Sequence, residues 1–253
     1  ANRPLLVIVC LLVALVAAFS VVGYVLVVPH ADLAAPYVSV ADTSSEQAKS
    51  ASAATAAITE EVESEAVTLL KDDGALPLAA GAKVNVFGST AGNNFSYGGT
   101  GSGAGNESNN VSFYQGLANA GIQVNEDLKA FYDQNAPESI SYGLVGTDFN
   151  NYELPQSDYD PALIDAARDY SDTALVVLTR KGGEGTDLPM DMANFTGSEA
   201  GRNYLEITPN EEDLLAMVEK NFSKVVVVLN SPNAMELGFL DNEAVDAAIW
   251  VGT

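Results

Sequence analysis

Three short apolar runs set the narrowest limit on how this chain can fold: Ala174 to Leu178 (ALVVL), Lys224 to Leu229 (KVVVVL) and Ala247 to Val251 (AAIWV). None alternates apolar with polar residues, so each predicts a strand covered on both faces rather than one with a wet side. The segments between them carry helix signals. Asp160-Pro161 opens a helix to Tyr170, with proline in the first turn. Thr208-Pro209-Asn210-Glu211 has the form of a capping box for a helix to about Phe222. Strands alternating with helices give an α/β fold: a mostly parallel sheet with helices on both faces, a three-layer αβα sandwich.

A different constraint governs the N-terminus. Pro4 to Val28 carries no charge, and about 20 apolar residues suffice to span a bilayer core. Residues 1–29 therefore read as one transmembrane anchor, with Tyr24 as an interfacial residue. Arg3 precedes the run and no Lys or Arg follows until Lys49, which places the N-terminus inside and the body outside the cell membrane. A cleaved signal peptide is the competing reading, with Ala31-Asp32-Leu33-Ala34 as its cleavage site. Residues 30–45, with His30 and Pro36, read as an extracellular stalk. Its Asp42-Thr43-Ser44-Ser45 cluster can cap the next helix.

Residues 46–253 are expected to form the sandwich domain, truncated at its C-terminal end. Glu46 to Lys71 reads as one Ala-rich helix, stopped by Asp72-Asp73-Gly74. A strand from Lys83 to Phe87 and a turn at Gly88 follow. The loop from Ser89 to Asn110 is dense in Gly, Ser, Thr and Asn, but Phe95 and Tyr97 suggest packing within it. A helix from Val111 to Ala120, a strand over Ile122 to Val124 and an Asn125-capped helix to Gln134 come next. Asn135 to Asp158 reads as irregular surface structure.

The balance of 34 acidic to 11 basic residues, a formal charge of -23, excludes nucleic acid as a partner, because no Lys/Arg cluster is available to neutralise phosphates. One cysteine and one histidine exclude an intrachain disulfide and a Cys/His zinc site, so neither metal nor cofactor is expected. The chain starts on Ala1 and stops just after an apolar run, which reads as a fragment.

Chemistry concentrates in LTRKGGEGTDL, Leu178 to Leu188. Gly182, Gly183 and Gly185 let the backbone present Glu184 from a sharp loop at a strand's C-terminal end, the edge where open α/β sheets bind ligands. The second glycine cluster, Gly99-Thr100-Gly101-Ser102-Gly103-Ala104, fits G-x-G-x-x-A loosely, yet lies about a dozen residues beyond its strand instead of on it. A P-loop lysine is missing, so nucleotide binding is disfavoured.

The order of these motifs resembles the α/β sandwich domain of glycoside hydrolase family 3 over roughly residues 60–253. In that family a helix ending LLKN, then LPL, then a VAVFG strand occur in sequence; here they are Leu69 to Asp72, Leu76 to Leu78 and Val84 to Gly88. Gly98 to Gly103 is similar to its GGTGSG loop, and Arg180 to Asp187 to its R-x-S-G-E-G-x-D segment. KVVVVLN and AAIWVG follow in family order. The resemblance implies a retaining β-glycosidase, β-glucosidase-like, acting on a β-linked glucoside or oligosaccharide. It makes Glu184 the acid/base, places Gly101, Ser102 and Gly103 at the sugar, and leaves Arg180 and Asp187 to orient the loop by ion pairing. The nucleophilic Asp would lie in a (β/α)8 barrel, expected downstream in a permuted arrangement, and this chain alone would be inactive. Leu188 and Gly182 depart from the family's usual Arg and Ser. The alternative is a non-catalytic, membrane-tethered module that binds carbohydrate or protein.

Overall fold

The computed structural model describes residues 3–30, 43–98, 110–140 and 146–253. The chain divides into two compact units, Ala1–Thr59 and Glu60–Thr253. In the first, helix α1 (Arg3–Val27) continues into a 3-10 turn, Val28–His30. The stretch Arg3–His30 is long and apolar enough to cross a membrane, a test that a signal sequence near an N-terminus also passes. Most of the expected stalk lies outside the described residues. Helix α2 (Glu46–Ala66) has no buried residue, and Ile58 and Val62 stand exposed on it.

The second unit is built on a six-stranded sheet. In chain order its strands are β1 (Thr68–Asp72), β2 (Lys83–Phe87), β3 (Gln123–Val124), β4 (Thr173–Thr179), β5 (Lys224–Asn230) and β6 (Ala247–Trp250). Their spatial order is β1-β6-β5-β4-β2-β3. All neighbours run parallel except β1, which lies antiparallel along β6. The expected helix to Lys71 is thereby corrected. It ends at Ala66, and Leu69, Leu70 and Lys71 belong to the edge strand β1. An apolar pair beside a lysine serves either period, and pairing with β6 decided it. Asp72 then stops the strand: its Oδ1 accepts from the amides of Gly74, Ala75 and Leu76.

Period-two geometry sorts the central strands between two cores. Ala174, Val176 and Leu178 of β4, with Val225, Val227 and Leu229 of β5, face helices α4 (Glu126–Asn135), α5 (Pro161–Tyr170) and α6 (Pro209–Asn221). Leu175 and Val177, with Val226 and Val228, face α3 (Phe113–Asn119) and the Leu76 to Leu78 segment. The sequence signals at the helix starts hold: Asn125 caps α4, Asp160 caps α5, and Thr208 and Glu211 form both halves of the box on α6. Gly88 closes β2 at φ 111°, where a Cβ would lie 2.3 Å from the Val177 carbonyl oxygen. Only glycine lets these two strands end so close together.

Candidate active site at the carboxyl edge of the sheet

Because β2, β4, β5 and β6 run parallel, their C-terminal ends share one edge. Gly88-Ser89, Arg180, Asn230-Ser231 and Gly252 stand there. Asn230 knits two of these ends to the loop that follows β2. Its side-chain amide donates to the carbonyls of Ser96 (3.0 Å) and Gly252 (2.7 Å), and its Oδ1 accepts from the Ser96 amide at 2.7 Å. The start of the glycine-rich loop is thus fastened to the ends of β5 and β6. Phe95 and Tyr97 do pack, as their place in the loop suggests: Phe95 stacks on Phe113 (5.5 Å between centroids) and lies 5.2 Å from Tyr97. Gly101, Ser102 and Gly103, the expected sugar-binding residues, lie outside the described residues.

The glutamate loop leaves β4 at Arg180, which is 2% exposed. Its guanidinium forms a two-pronged pair with Glu211, 2.8 and 2.7 Å, and donates to the carbonyls of Thr179, Tyr204 and Glu206. Glu211 is equally buried and also takes the amide of Thr208 and the side chain of Asn151. Burial works against the charge on both partners. Each offsets it for the other, so the Glu211 carboxyl sits below, and the Arg180 guanidinium above, its ordinary range. The ion pair that anchors this loop is therefore Arg180 with Glu211. Asp187 is exposed and makes no ion pair among the described residues.

Beyond Arg180 the loop is held from both sides. The Lys181 amide donates to the Tyr204 hydroxyl at 2.6 Å. Gly182 passes close to the turn after β5, and a Cβ there would lie 2.8 Å from Pro232 Cγ and 3.2 Å from Asn233 Nδ2. The departure from serine is a fit to Pro232. Leu188 joins a small apolar cluster with Phe149, Met192, Tyr204, Phe195 and Leu205. Glu184 is exposed at the turn, followed by Gly185 at φ 76°. A carboxyl at the tip of a braced loop can reach a group brought to it from outside this chain.

One segment is corrected in part. Asp148 to Leu154, within the stretch read from sequence as irregular surface structure, does lie outside helix and strand but is a largely buried strap. Glu153 is 5% exposed, and its carboxylate accepts from the amides of Ser89 (2.9 Å) and Leu154 (3.0 Å) and from the Tyr159 hydroxyl (2.7 Å). Desolvation pushes this carboxyl up, the donors to it pull it down, and Glu211 adds to the rise, leaving it at about 7. Sequence reasoning missed Glu153, Asn151 and Asn230. The last had a usable signal, a lone amide ending an otherwise aliphatic strand.

An α/β domain whose strand-end loops are clamped by buried polar pairs, with one carboxylate offered at a glycine turn, is a class of ligand-edge domain. Residues 67–253 match the Glycosyl hydrolase family 3 C-terminal domain. A Beta-glucosidase from Ruminococcus albus is 34% identical over 194 residues, covering 76% of this chain and 19% of that protein. Beta-glucosidase 3B from Thermotoga neapolitana, solved in complex with alpha-D-glucose, superposes with a TM-score of 0.63 at 25% identity, over 78% of this chain and 27% of that one. A beta-glucosidase from Paenibacillus barengoltzii gives 0.60 at 27% identity, over 75% and 20%. The chain belongs to glycosyl hydrolase family 3, of which it carries the C-terminal domain. It spans about a fifth of the length of the curated relatives it matches.

Proposed function

We propose that this chain is part of a retaining β-glycosidase, β-glucosidase-like, to which it supplies the acid/base residue Glu184. The observation that carries the reading is the braced glycine turn: Arg180–Glu211 fixes its base, and Glu184 stands exposed at its tip. Hydrolysis with retention needs two carboxyl groups about 5–5.5 Å apart. The second, a nucleophilic Asp, comes from a (β/α)8 barrel elsewhere in the whole protein. With a sugar held by the barrel, the Glu184 carboxyl protonates the departing glycosidic oxygen as the Asp attacks the anomeric carbon. The resulting Glu184 carboxylate then takes a proton from the water that releases the sugar. Gly101, Ser102 and Gly103 border the sugar, with the Ser102 hydroxyl hydrogen-bonding to it. The apolar helix α1 anchors the protein in the cell membrane with the enzyme outside.

Assay of an aryl β-glucoside separates the reading from its alternative, a tethered module that binds without cleaving. The native protein taken from membranes should hydrolyse it, and this 253-residue chain alone should not. Turnover by the isolated chain would place the nucleophile within it and overturn the division of labour. Binding without turnover by the native protein would favour the module.

A further inference from the structure

The strap that sequence reading placed on the surface joins both loops of the site. Glu153 grips the first residue after Gly88 through the Ser89 amide. Its own amide donates to Asn151 Oδ1 at 3.0 Å, and Asn151 Nδ2 donates to Glu211 Oε1 at 2.9 Å. The same Glu211 oxygen accepts from Arg180 Nη1, at the base of the glutamate loop. An unbroken run of hydrogen bonds thus connects the start of the glycine-rich loop with the start of the glutamate loop.

We propose that Glu153 is a positioning residue that couples the two loops, holding the Ser89 amide as a carboxylate and loosening it as a carboxylic acid. The reason is a donor count. Oε2 faces the Ser89 N–H, and Oε1 faces both the Leu154 N–H and the Tyr159 O–H. An ionised carboxyl accepts all three. In the acid the proton sits on Oε1 and is donated to the Tyr159 oxygen, whose own hydroxyl rotates toward Tyr132, 2.8 Å distant; Oε2 is then a neutral carbonyl oxygen, a weaker acceptor for the Ser89 N–H than a carboxylate. The titratable groups facing Glu153 are Tyr159, Tyr132 and Glu211, with Arg180 behind Glu211. Both tyrosines are held well above their ordinary range, chiefly by burial, and stay neutral. Against the three donors, burial and the Glu211 charge favour the acid. The two tendencies balance near neutrality, at about 7, so the grip changes over an ordinary pH range. The coupling stands on these hydrogen bonds alone; its effect on turnover rests on the glycosidase reading.

The test uses the whole chain in detergent micelles, with carbon-13 in the Glu side-chain carboxyls and nitrogen-15 in Ser and Arg. Signals are assigned by their loss in Ser89→Ala, Glu153→Gln and Arg180→Lys. The Glu153 carboxyl, the Ser89 amide and the Arg180 Nη1 should titrate together near neutrality. The Ser89 amide proton, held more strongly by a carboxylate than by an acid, should shift downfield as pH rises from about 5 to about 9. In Glu153→Gln neither signal should titrate there. If that variant fails to fold, the native titration decides by itself. A Ser89 amide indifferent to pH across this range, or an Arg180 Nη1 that does not follow Glu153, would overturn the coupling. Because no sugar or turnover enters the measurement, its failure would leave the glycosidase reading untouched.

Discussion

At the residue scale the site depends on charges withdrawn from water in matched pairs. Arg180 and Glu211 are each 2% exposed, so neither can lose its partner and turn to solvent. Removing one side of such a pair costs about 3–5 kcal/mol, because an uncompensated charge stays buried. Glu211→Ala and Arg180→Ala should each lower stability by that amount in chemical denaturation. The double replacement Arg180→Met with Glu211→Leu should cost clearly less than the sum. Additive losses would mean that the two side chains act independently. Only part of this could be read from the sequence. Thr208-Pro209-Asn210-Glu211 announced a helix start, and Glu211 does serve it. Nothing in that motif revealed that the same carboxylate takes a guanidinium from the end of β4, since the partner lies 31 positions away. Gly88 shows the reverse case. A glycine directly after a strand signals a turn, and its φ of 111° against the Val177 carbonyl is the physical content of that signal.

At the scale of elements, legibility followed burial pattern. The central strands read correctly because both faces are dry and the runs are aliphatic. β1 did not, because its burial pattern is that of an exposed edge and its register comes from β6. The strap from Asp148 to Leu154 was placed on the surface because most of its buried side chains, Asp148, Asn151 and Glu153, are polar, and polar composition usually marks surface. It has a measurable consequence. The folded-state Glu153 lies at about 7, above the ordinary carboxylate value of 4.5, so the folded chain holds a proton that the unfolded chain has released. Its contribution to stability is complete below about pH 4.5 and is lost as pH rises through about 7, by about 3 kcal/mol. Glu211, shifted the other way, contributes above its unfolded value and loses that contribution in more acid solution. Between pH 5 and 8 the native chain should therefore lose about 3 kcal/mol relative to Glu153→Gln, followed by urea denaturation at each pH. Parallel curves for the two proteins across that interval would remove the buried carboxyl from the explanation.

For the whole molecule, the fold delivers an edge with loops rather than a closed site. The parallel strands bring the ends of β2, β4, β5 and β6 together, Asn230 and the strap fix the bases of the loops, and Glu184 stands exposed at one tip. Order along the chain, from LLKD through GGTGSG and GGEG to KVVVVLN, was enough to indicate the family; of these, GGEG follows β4 and the last residue of KVVVVLN ends β5, both at the edge. The reach of Glu184 toward a sugar was not legible, because on the proposed reading the sugar is held by the barrel and not by this chain. The most direct measurement is the leaving-group dependence of hydrolysis by the native protein and its Glu184→Ala variant, with an activated aryl β-glucoside set against an unactivated disaccharide. If Glu184 is the acid, the variant should lose about 10²–10⁴-fold on the disaccharide and far less on formation of the glycosyl-enzyme from the aryl substrate, whose leaving group needs no proton. Equal losses on both substrates, or none on either, would contradict the assignment of Glu184 as the acid/base.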